Sequence, residues 1–396
     1  MSHPPSRVFA LALASIALIG PLAVHLYLPM IPAIKAALGI SDALAQLTFS
    51  ISLFGMAFAT LFYGSLSDRY GRRLVLLSGL GLFLVGSVIS ALADGISTLA
   101  LGRFVQAVGA GSGMTLVRTI ARDAYGPERL VSALAYLTMF YTLGPMVAPI
   151  VGGFLVDTLG WRSVFGFALL AGAAITLGVY TAIPETRPPV QDGGSGAGMI
   201  RGYLLLFGHA RFTAYVLQSG FNSATFMVVA SAASVLMKEQ LQRSATEFGF
   251  YFLLFPVGFF LGNLLTARVG NRGTAETMVL LGTLLSIVAV AVQSSLLLLG
   301  YFTPLVIFLP GAFITMAQGI ALSYGQAGAM ATIPQLAGTA AGVGVFMQLF
   351  CGAAFTQLYG LLATGTPGPM MATTALSAAL CLIAGSVPFL LRMRGR

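Results

Sequence analysis

The chain has 396 residues, of which 57% are hydrophobic and only 8% are charged. So few charged side chains cannot cover a soluble protein of this size, so most of its surface must face lipid. The net charge of +9 reflects 20 Lys and Arg against 11 Asp and Glu. Basic residues bordering membrane segments account for this excess without a nucleic-acid partner. Cys351 and Cys381 both lie in apolar runs, so no disulfide framework is expected.

Apolar runs of about 20 residues, the length of a membrane-spanning helix, recur along the whole chain. The first run continues to about residue 34 without a small-residue cleavage site, which favours a retained helix over a signal peptide. A Pro- and Gly-rich segment, 184–207, is predicted to be a cytoplasmic linker between two six-helix domains, 1–183 and 208–396. The twelve predicted helices lie near 8–34, 43–66, 74–93, 97–123, 130–156, 161–183, 209–236, 245–267, 277–298, 302–324, 336–364 and 369–391.

Basic residues are distributed unevenly between the two predicted sides of the membrane. The opposite side holds only Lys35, Arg162, Lys238 and Arg243, and Arg103 alone lies inside a helix. Because positive charge favours the cytoplasm, both termini are predicted to be cytoplasmic. The predicted cytoplasmic residues are Arg7, Arg69, Arg72, Arg73, Arg118, Arg122, Arg129, Arg187, Arg201, Arg211, Arg268, Arg272, Arg392, Arg394 and Arg396.

The turn between the second and third predicted helices concentrates charge and glycine in ten residues. Its defined positions are Gly64, Leu66, Asp68, Arg69, Gly71, Arg72 and Arg73. Four of these positions recur 199 residues later (268 − 69), as Leu265, Arg268, Gly270 and Arg272. A repeat at half the chain length indicates an internal duplication.

Twelve helices, two halves and this turn resemble the major facilitator superfamily. Arg103, Gln106 and Gly109 resemble its R-x-x-Q-G motif in helix 4. Glycines and prolines of predicted helix 5 resemble the antiporter motif of the family's drug:proton antiporters. These residues are Gly144, Pro145, Pro149, Gly152 and Gly153. The segments 26–32, 122–125 and 184–187 are similar to the bicyclomycin, chloramphenicol and florfenicol resistance branch. The resemblance implies an all-α membrane fold of two pseudo-symmetric six-helix bundles.

The resemblance also implies a cytoplasmic gate. In the family, the aspartate corresponding to Asp68 pairs with the positive N-terminus of helix 11 and latches the two halves shut. Arg72 and Asp123 would complete a charge relay. The alternative is that the turn only anchors the topology through its arginines. The helix-5 glycines and prolines are expected to act mainly in packing.

Two residues inside predicted spans have open roles. Arg103 either binds substrate and senses protonation, or donates structural hydrogen bonds to backbone carbonyls, because an arginine in hydrocarbon requires a wet cavity or a partner. His25 stands where the branch usually has an acidic residue, directly before the Tyr-Leu-Pro segment. All carboxylates fall in loops or at helix ends, so His25 either carries the coupled proton or binds substrate, or remains a neutral hydrogen-bonding group. Asp123 is the other candidate proton site.

A cavity with Arg103, His25 and no buried carboxylate repels cations, so we expect neutral or anionic cargo. Polar and aromatic side chains at mid-helix depth are the other cavity candidates, although each can also serve packing. These candidates are Tyr27, Gln106, Tyr141, Asn222, Phe226, Phe255, Gln318 and Gln348.

These features together predict a proton-coupled efflux transporter of the inner membrane, working by rocking two bundles around a midplane site. The predicted partners are a small-molecule substrate, protons and the lipid bilayer, and we expect a monomer without cofactor, metal or nucleic acid. One alternative is a metabolite exporter or importer of the same fold, which need not be coupled to protons. Another is a non-transporting receptor on the same fold. A membrane enzyme is disfavoured because the three histidines do not form a cluster.

Overall fold

The computed structural model describes residues 6–187 and 196–394, and every regular element in these ranges is helical. The chain divides into two compact units. The first unit comprises Met1–Val190 with Ser244–Phe250, and the second comprises Gln191–Arg243 with Tyr251–Arg396. The division falls inside the predicted linker 184–207. Residues 188–195 of that linker lie outside the described ranges, and its last part forms a helix rather than an irregular connection.

Up to the division, the helices are α1 (Arg7–Ile16), α2 (Ile19–His25), α3 (Ile31–Leu38), α4 (Asp42–Tyr70), α5 (Arg72–Ala91), α6 (Ile96–Leu159) and α7 (Trp161–Ala182). The remaining helices are α8 (Gly196–Phe207), α9 (Ala210–Glu239), α10 (Ala245–Phe252), α11 (Leu254–Val269), α12 (Ala275–Leu298), α13 (Pro304–Thr332), α14 (Ala337–Leu362) and α15 (Gly368–Arg394). Short 3₁₀ turns occupy Leu28–Met30, Gly270–Arg272 and Pro334–Leu336.

In the described chain, eleven helices are long and apolar enough to cross a membrane, one fewer than the sequence predicts. The predicted helix near 97–123 is helical, as the first part of α6, but it is not among the eleven. Its charged residues, Arg103, Arg118, Arg122 and Asp123, lower its hydropathy. Gly126, with φ of 65° and ψ of 175°, kinks α6 and separates the two helices that the sequence predicts there.

The first membrane segment, Arg7–Leu38, is broken rather than continuous. Pro29 lies in the 3₁₀ turn that separates α2 from α3. Proline removes a backbone donor and clashes with the preceding turn, which interrupts an α-helix. The break places His25 at the end of α2 and Tyr27 directly before the turn. Both side chains are buried.

Glycines bring α5 and α6 into backbone contact. A Cβ atom on Gly86 would lie 2.2 Å from the backbone nitrogen of Gln106, and one on Gly109 would lie 2.3 Å from the backbone nitrogen of Phe83. Small residues at membrane helix interfaces permit this close approach. The same contact positions Gln106 and the neighbouring Arg103 in the interior of the first unit.

We expect Gly86→Ala to lower the melting temperature of the detergent-solubilised protein, whereas Gly81→Ala leaves it unchanged or raises it. The new methyl group at position 86 meets backbone that cannot swing away, and overpacking costs about 1–3 kcal/mol. Gly81 lies in the same helix with nothing within 4 Å of an added Cβ, and alanine favours helix by up to about 1 kcal/mol. A thiol-reactive dye reports unfolding through the buried Cys351 and Cys381. Equal shifts in the two variants would contradict the packing argument.

Candidate functional site

Arg103 is the centre of a polar network inside the first unit. Its side chain is only 2% exposed. Nη2 donates to the carbonyl oxygen of Ala23 at 2.9 Å and Nε donates to that of Thr48 at 3.5 Å. Nη1 donates to Oε1 of Gln106 at 2.5 Å, and the guanidinium lies 4.0 Å above the Tyr27 ring. One arginine therefore links α2, α4 and α6.

The network continues from α6 into α5. Nε2 of Gln106 donates to the Ser87 hydroxyl at 2.8 Å, and that hydroxyl donates to the carbonyl oxygen of Phe83 at 2.8 Å. The hydroxyls of Tyr27 and Thr48 are hydrogen-bonded to each other. Because the Arg103 donors meet protein acceptors, the geometry favours the structural hydrogen-bond interpretation of this residue over direct substrate binding.

His25 is buried at the end of α2, two residues after Ala23, whose carbonyl accepts from Arg103. In the described ranges, each Asp or Glu lies in a loop or within four residues of a helix end or of the Gly126 kink. His209, at the start of α9, is exposed. Among the described histidines, His25 is therefore the one inside a membrane segment, whereas the described carboxylates lie in loops or near helix ends or the Gly126 kink.

The other candidate cavity residues divide between the two units, with Tyr141 in the first and the rest in the second. Tyr141 is 40% exposed, whereas Asn222 and Gln318 are buried. Both polar atoms of the Asn222 amide have no hydrogen-bond partner among the described residues. Within the second unit, the Phe226 ring packs edge-on against Phe252 and Phe255, with centroids 6.4 and 5.7 Å away. Gln348 donates to the carbonyl oxygen of Gly344 at 3.2 Å.

Three residues of the predicted charge relay lie together at the α4–α5 turn. Nη1 of Arg72 lies 2.5 Å from Oδ1 of Asp68, and Nε lies 3.1 Å from Oδ2 of Asp123. Arg72 also donates to the Ser67 hydroxyl at 2.6 Å. The side chains of Arg72 and Asp123 are 5% and 4% exposed, but that of Asp68 is 65% exposed. The Arg72–Asp123 pair is therefore the buried member of the relay.

Among the other residues predicted for the gate, Gly64 has no atom within 4 Å of an added Cβ. Leu66 is 42% exposed. Gly71 has a φ of 99°, a value that favours glycine, and ends α4. Nη2 of Arg73 donates to the carbonyl oxygen of Tyr180 in α7 at 2.7 Å.

Glu185, which the sequence marks only as part of a branch-typical segment, caps this turn. Its Oε1 atom accepts from the backbone N–H groups of Arg72, Thr186 and Arg187 at 2.8, 3.0 and 2.9 Å. Its Oε2 atom accepts from that of Arg73 at 3.2 Å. The carboxylate thus satisfies orphan donors at the N-terminus of α5 and interacts with the positive end of its dipole.

The neighbouring Arg187 closes the other side of the same turn. Its Nη1 atom donates to the carbonyl oxygen of Arg69, near the C-terminus of α4, at 2.8 Å. A Cβ on Gly71 would lie 2.6 Å from Oε2 of Glu185, so glycine also leaves space for the carboxylate. Sequence reasoning missed these contacts of Glu185 and Arg187 with the α4–α5 turn because they join residues more than 110 positions apart.

Glu185 should make stability depend on pH. Burial raises its pKa, but the backbone N–H groups of Arg187, Arg72, Arg73 and Thr186 more than offset this effect, and the net pKa lies below 4.5. A depressed folded-state pKa stabilises the protein above the unfolded value, and this stability is lost as pH falls through the folded value. Glu185→Gln should therefore melt below wild type at pH 7, and the gap should narrow below about pH 4.5. A gap of constant size from pH 7 to pH 3.5 would refute this assignment.

Glycines of the predicted antiporter motif bring the second part of α6 against the segment that carries His25 and Tyr27. A Cβ on Gly144 would lie 2.2 Å from Cβ of Pro21, and one on Gly152 would lie 2.5 Å from the carbonyl oxygen of Leu26. A Cβ on Gly153 would lie 2.2 Å from the carbonyl oxygen of Ala245, which groups with the first unit. Pro145 and Pro149 occupy the same helical stretch.

The family model described as Major Facilitator Superfamily matches residues 13–356. This chain belongs to the major facilitator superfamily. It is 26% identical over 387 residues to a bicyclomycin resistance protein homolog of Haemophilus influenzae, covering 95% of each chain. It is 27% identical over 376 residues to multidrug resistance protein D of Escherichia coli, covering 94% of each. These relatives confirm the resemblance to the drug:proton antiporter branch, and they are transporters rather than enzymes.

Solved structures show the same fold. A bacterial homolog of the human lysosomal transporter Spinster, in an inward-facing, unoccupied conformation, matches with a TM-score of 0.77 at 18% identity and 96% coverage of each chain. The POT family transporter PepTSo matches with a TM-score of 0.78 at 15% identity and 99% coverage of each. The predicted all-helical major facilitator fold is thereby confirmed, and this multi-pass membrane protein is related to multidrug resistance transporters.

Proposed function

We propose that this transporter exports a small neutral or anionic compound from the cytoplasm in exchange for protons, by alternating access in the inner membrane. The observation that carries the proposal is similarity along 94–95% of the chain to a bicyclomycin resistance protein homolog and to multidrug resistance protein D. Both termini would lie in the cytoplasm, because the arginine distribution favours that orientation. The protein would function as a monomer of two six-helix bundles.

The charge of the buried groups supports the cargo class. The first unit holds Arg103 and His25 inside predicted membrane helices, whereas each described Asp or Glu lies in a loop or near a helix end or the Gly126 kink. A lipophilic cation entering such a region meets repulsion and no counter-ion. Efflux assays in cells should therefore show little protection against ethidium-like cations.

His25 is the first candidate for proton coupling and Asp123 the second. His25 lies inside a membrane segment and next to the Arg103 network, so its ionisation would change the charge of that region. Asp123 is already paired with Arg72 and with Arg122. Its engagement by two arginines beside the α4–α5 turn supports the gate role for Asp123.

We expect His25→Ala to abolish proton-driven transport while the protein stays folded. The measurement is uptake of a neutral phenicol into inside-out vesicles, with and without an acidic lumen. Wild type should accumulate the compound only with the gradient. The matched control is His209→Ala, which removes an exposed imidazole at the start of α9 and should transport normally.

Gradient-driven uptake that persists in His25→Ala would exclude His25 and direct attention to Asp123. Absence of uptake in wild type would instead favour a metabolite exporter or importer, for which no proton coupling is required. No flux of any compound would point to a receptor built on this fold.

A further inference from the structure

Three helix ends of the second unit meet at a buried carboxylate. Glu276, in the first turn of α12, has a side chain that is only 7% exposed. Its Oε1 atom is ion-paired with Nη2 of Arg211, at the start of α9. Its Oε2 atom lies 3.5 Å from Nη1 of Arg392, in the last turn of α15. These three residues form the Glu276 cluster.

The helices that carry the cluster hold it in place. The Thr274 hydroxyl caps α12 by accepting from the backbone N–H group of Thr277, and it also accepts from Nη1 of Arg392. α15 packs against both α9 and α12. The carboxylate of Glu276 interacts with the positive end of the α12 dipole as well. The two guanidinium groups are therefore held side by side on one carboxylate.

The cluster lies at the depth of the lipid headgroups. α9, α12 and α15 are all long and apolar enough to cross a membrane. α12 is the shortest, with 24 residues or about 36 Å, against a hydrocarbon core of about 30 Å. Its first turn therefore lies at most about 6 Å beyond the core, within a headgroup layer about 5–8 Å thick on each side.

Positive charge exceeds negative charge at this end of the second unit. Its described residues include two carboxylates, Glu239 and Glu276. Glu239 is the last residue of α9, whereas Arg211 lies in the first turn. Glu276 therefore offsets Arg211 and Arg392 alone, and the exposed Arg394 adds a further positive charge at the end of α15. This surplus favours an anionic partner.

Both arginines of the cluster retain donors for such a partner. The side chain of Arg211 is 49% exposed and that of Arg392 is 32% exposed. Each guanidinium carries five N–H donors, and Glu276 engages one nitrogen atom of each. The planar fork of a guanidinium fits a phosphate group through two parallel hydrogen bonds. Two adjacent forks are therefore suited to one phosphate.

Exposed apolar side chains accompany the arginines. They lie on α8, which packs against α9, and at the end of α15, and they comprise Leu204, Leu205, Phe207, Leu390, Leu391 and Met393. Basic residues beside apolar ones at the end of a membrane helix suit a lipid, because the cation meets the headgroup and the apolar side chains meet the acyl chains. A soluble anion would use the arginines only.

We propose that Arg211 and Arg392 bind the phosphate of an anionic phospholipid, whose acyl chains lie against the exposed apolar side chains of α8 and α15. Glu276 is a positioning residue, which holds the two guanidinium groups together without touching the lipid. The bound lipid links the ends of α9 and α15 and so stabilises the second unit. The assignment does not depend on which compound the transporter exports.

The test is the melting temperature of the delipidated protein in detergent as phosphatidylglycerol is added. Wild type should show a saturable rise that neither phosphatidylcholine nor inorganic phosphate reproduces. Arg211→Gln and Arg392→Gln should each need about tenfold more phosphatidylglycerol for half of the rise, since each loses charge-assisted hydrogen bonds. No rise in wild type, or an equal rise with phosphatidylcholine or with phosphate alone, would overturn the assignment.

Glu276→Gln separates lipid binding from a purely structural role of the cluster. Glutamine keeps an acceptor oxygen between the guanidinium groups but removes the negative charge that competes with the phosphate. This variant should melt at a lower temperature without lipid, yet bind phosphatidylglycerol at least as tightly as wild type. A structural cluster predicts instead that Glu276→Gln loses the lipid response together with the two arginine variants, which would refute the site.

Arg268→Gln is the matched control for net charge. It removes an exposed arginine from the last turn of α11, outside the Glu276 cluster. The phosphatidylglycerol response of this variant should equal that of wild type. A tenfold weaker response in Arg268→Gln would reduce the effect to net charge and overturn the site.

Discussion

Arg103→Met should leave markedly less folded protein in the membrane and lower the melting temperature of what remains. The substitution removes the donor that serves the carbonyl oxygens of Ala23 and Thr48 and the Gln106 amide. Interhelical hydrogen bonds in membranes contribute about 0.6–2 kcal/mol each, so the two lost contacts to α2 and α4 amount to about 1–4 kcal/mol. The lost bond to Gln106 lies within α6 and adds to this cost. Thermal unfolding followed through the buried cysteines measures the loss.

Two milder variants, Arg103→Lys and Gln106→Leu, test whether the loss of stability follows the number of hydrogen bonds removed. Lysine keeps the charge but lacks the planar fork that reaches three acceptors at once. The melting temperature of Arg103→Lys should therefore fall between those of wild type and Arg103→Met. Gln106→Leu removes one acceptor and should cost less than Arg103→Met. A stable Arg103→Met protein that no longer binds substrate would reverse the interpretation and assign Arg103 to the cavity.

Asp123→Ala should destabilise the protein far more than Asp68→Ala. Arg72 is 5% exposed, and removing the buried Asp123 leaves it only the exposed Asp68 as an ionic partner. Breaking a buried ion pair costs about 3–5 kcal/mol. Asp68 is 65% exposed, and an exposed ion pair contributes only about 0–1 kcal/mol. Melting temperatures of the two variants check this order.

Transport by Asp68→Ala then distinguishes a gate from a topology anchor. Because this variant should fold normally, a large loss of vesicle uptake reports a step of the transport cycle rather than instability. Wild-type rates in Asp68→Ala would leave the turn as an anchor. Arg122→Gln serves as the control, since its guanidinium is exposed and lies 3.4 Å from Asp123.

Local sequence patterns were sufficient to predict the all-helical fold and to find the charged turn between α4 and α5. Hydrophobic runs of membrane length predict helices because lipid offers no hydrogen bonds to an irregular backbone. The charged turn is visible because its residues are adjacent in sequence. The break in the first membrane segment also has a local cause, Pro29, although the sequence interpretation treated 8–34 as one helix.

Other features depend on contacts between distant segments. Glu185 caps a turn more than 110 residues away, and no local pattern indicates which donors its carboxylate meets. Arg103 and Arg118 are both arginines of α6, and the sequence analysis placed the first inside a predicted span and counted the second with the cytoplasmic residues. Their exposure differs because helix packing covers one side of α6 and leaves the other accessible.

The amino-acid sequence alone determined that this protein resides in a membrane, has a major facilitator fold and resembles drug:proton antiporters. These properties follow from hydropathy, charge distribution and short motifs, all of which act locally along the chain. Only the tertiary structure decided which polar groups are engaged. It buries Arg103 among backbone carbonyls, pairs Arg72 with Asp123 and leaves Arg118 exposed, since burial and partner choice depend on how helices pack.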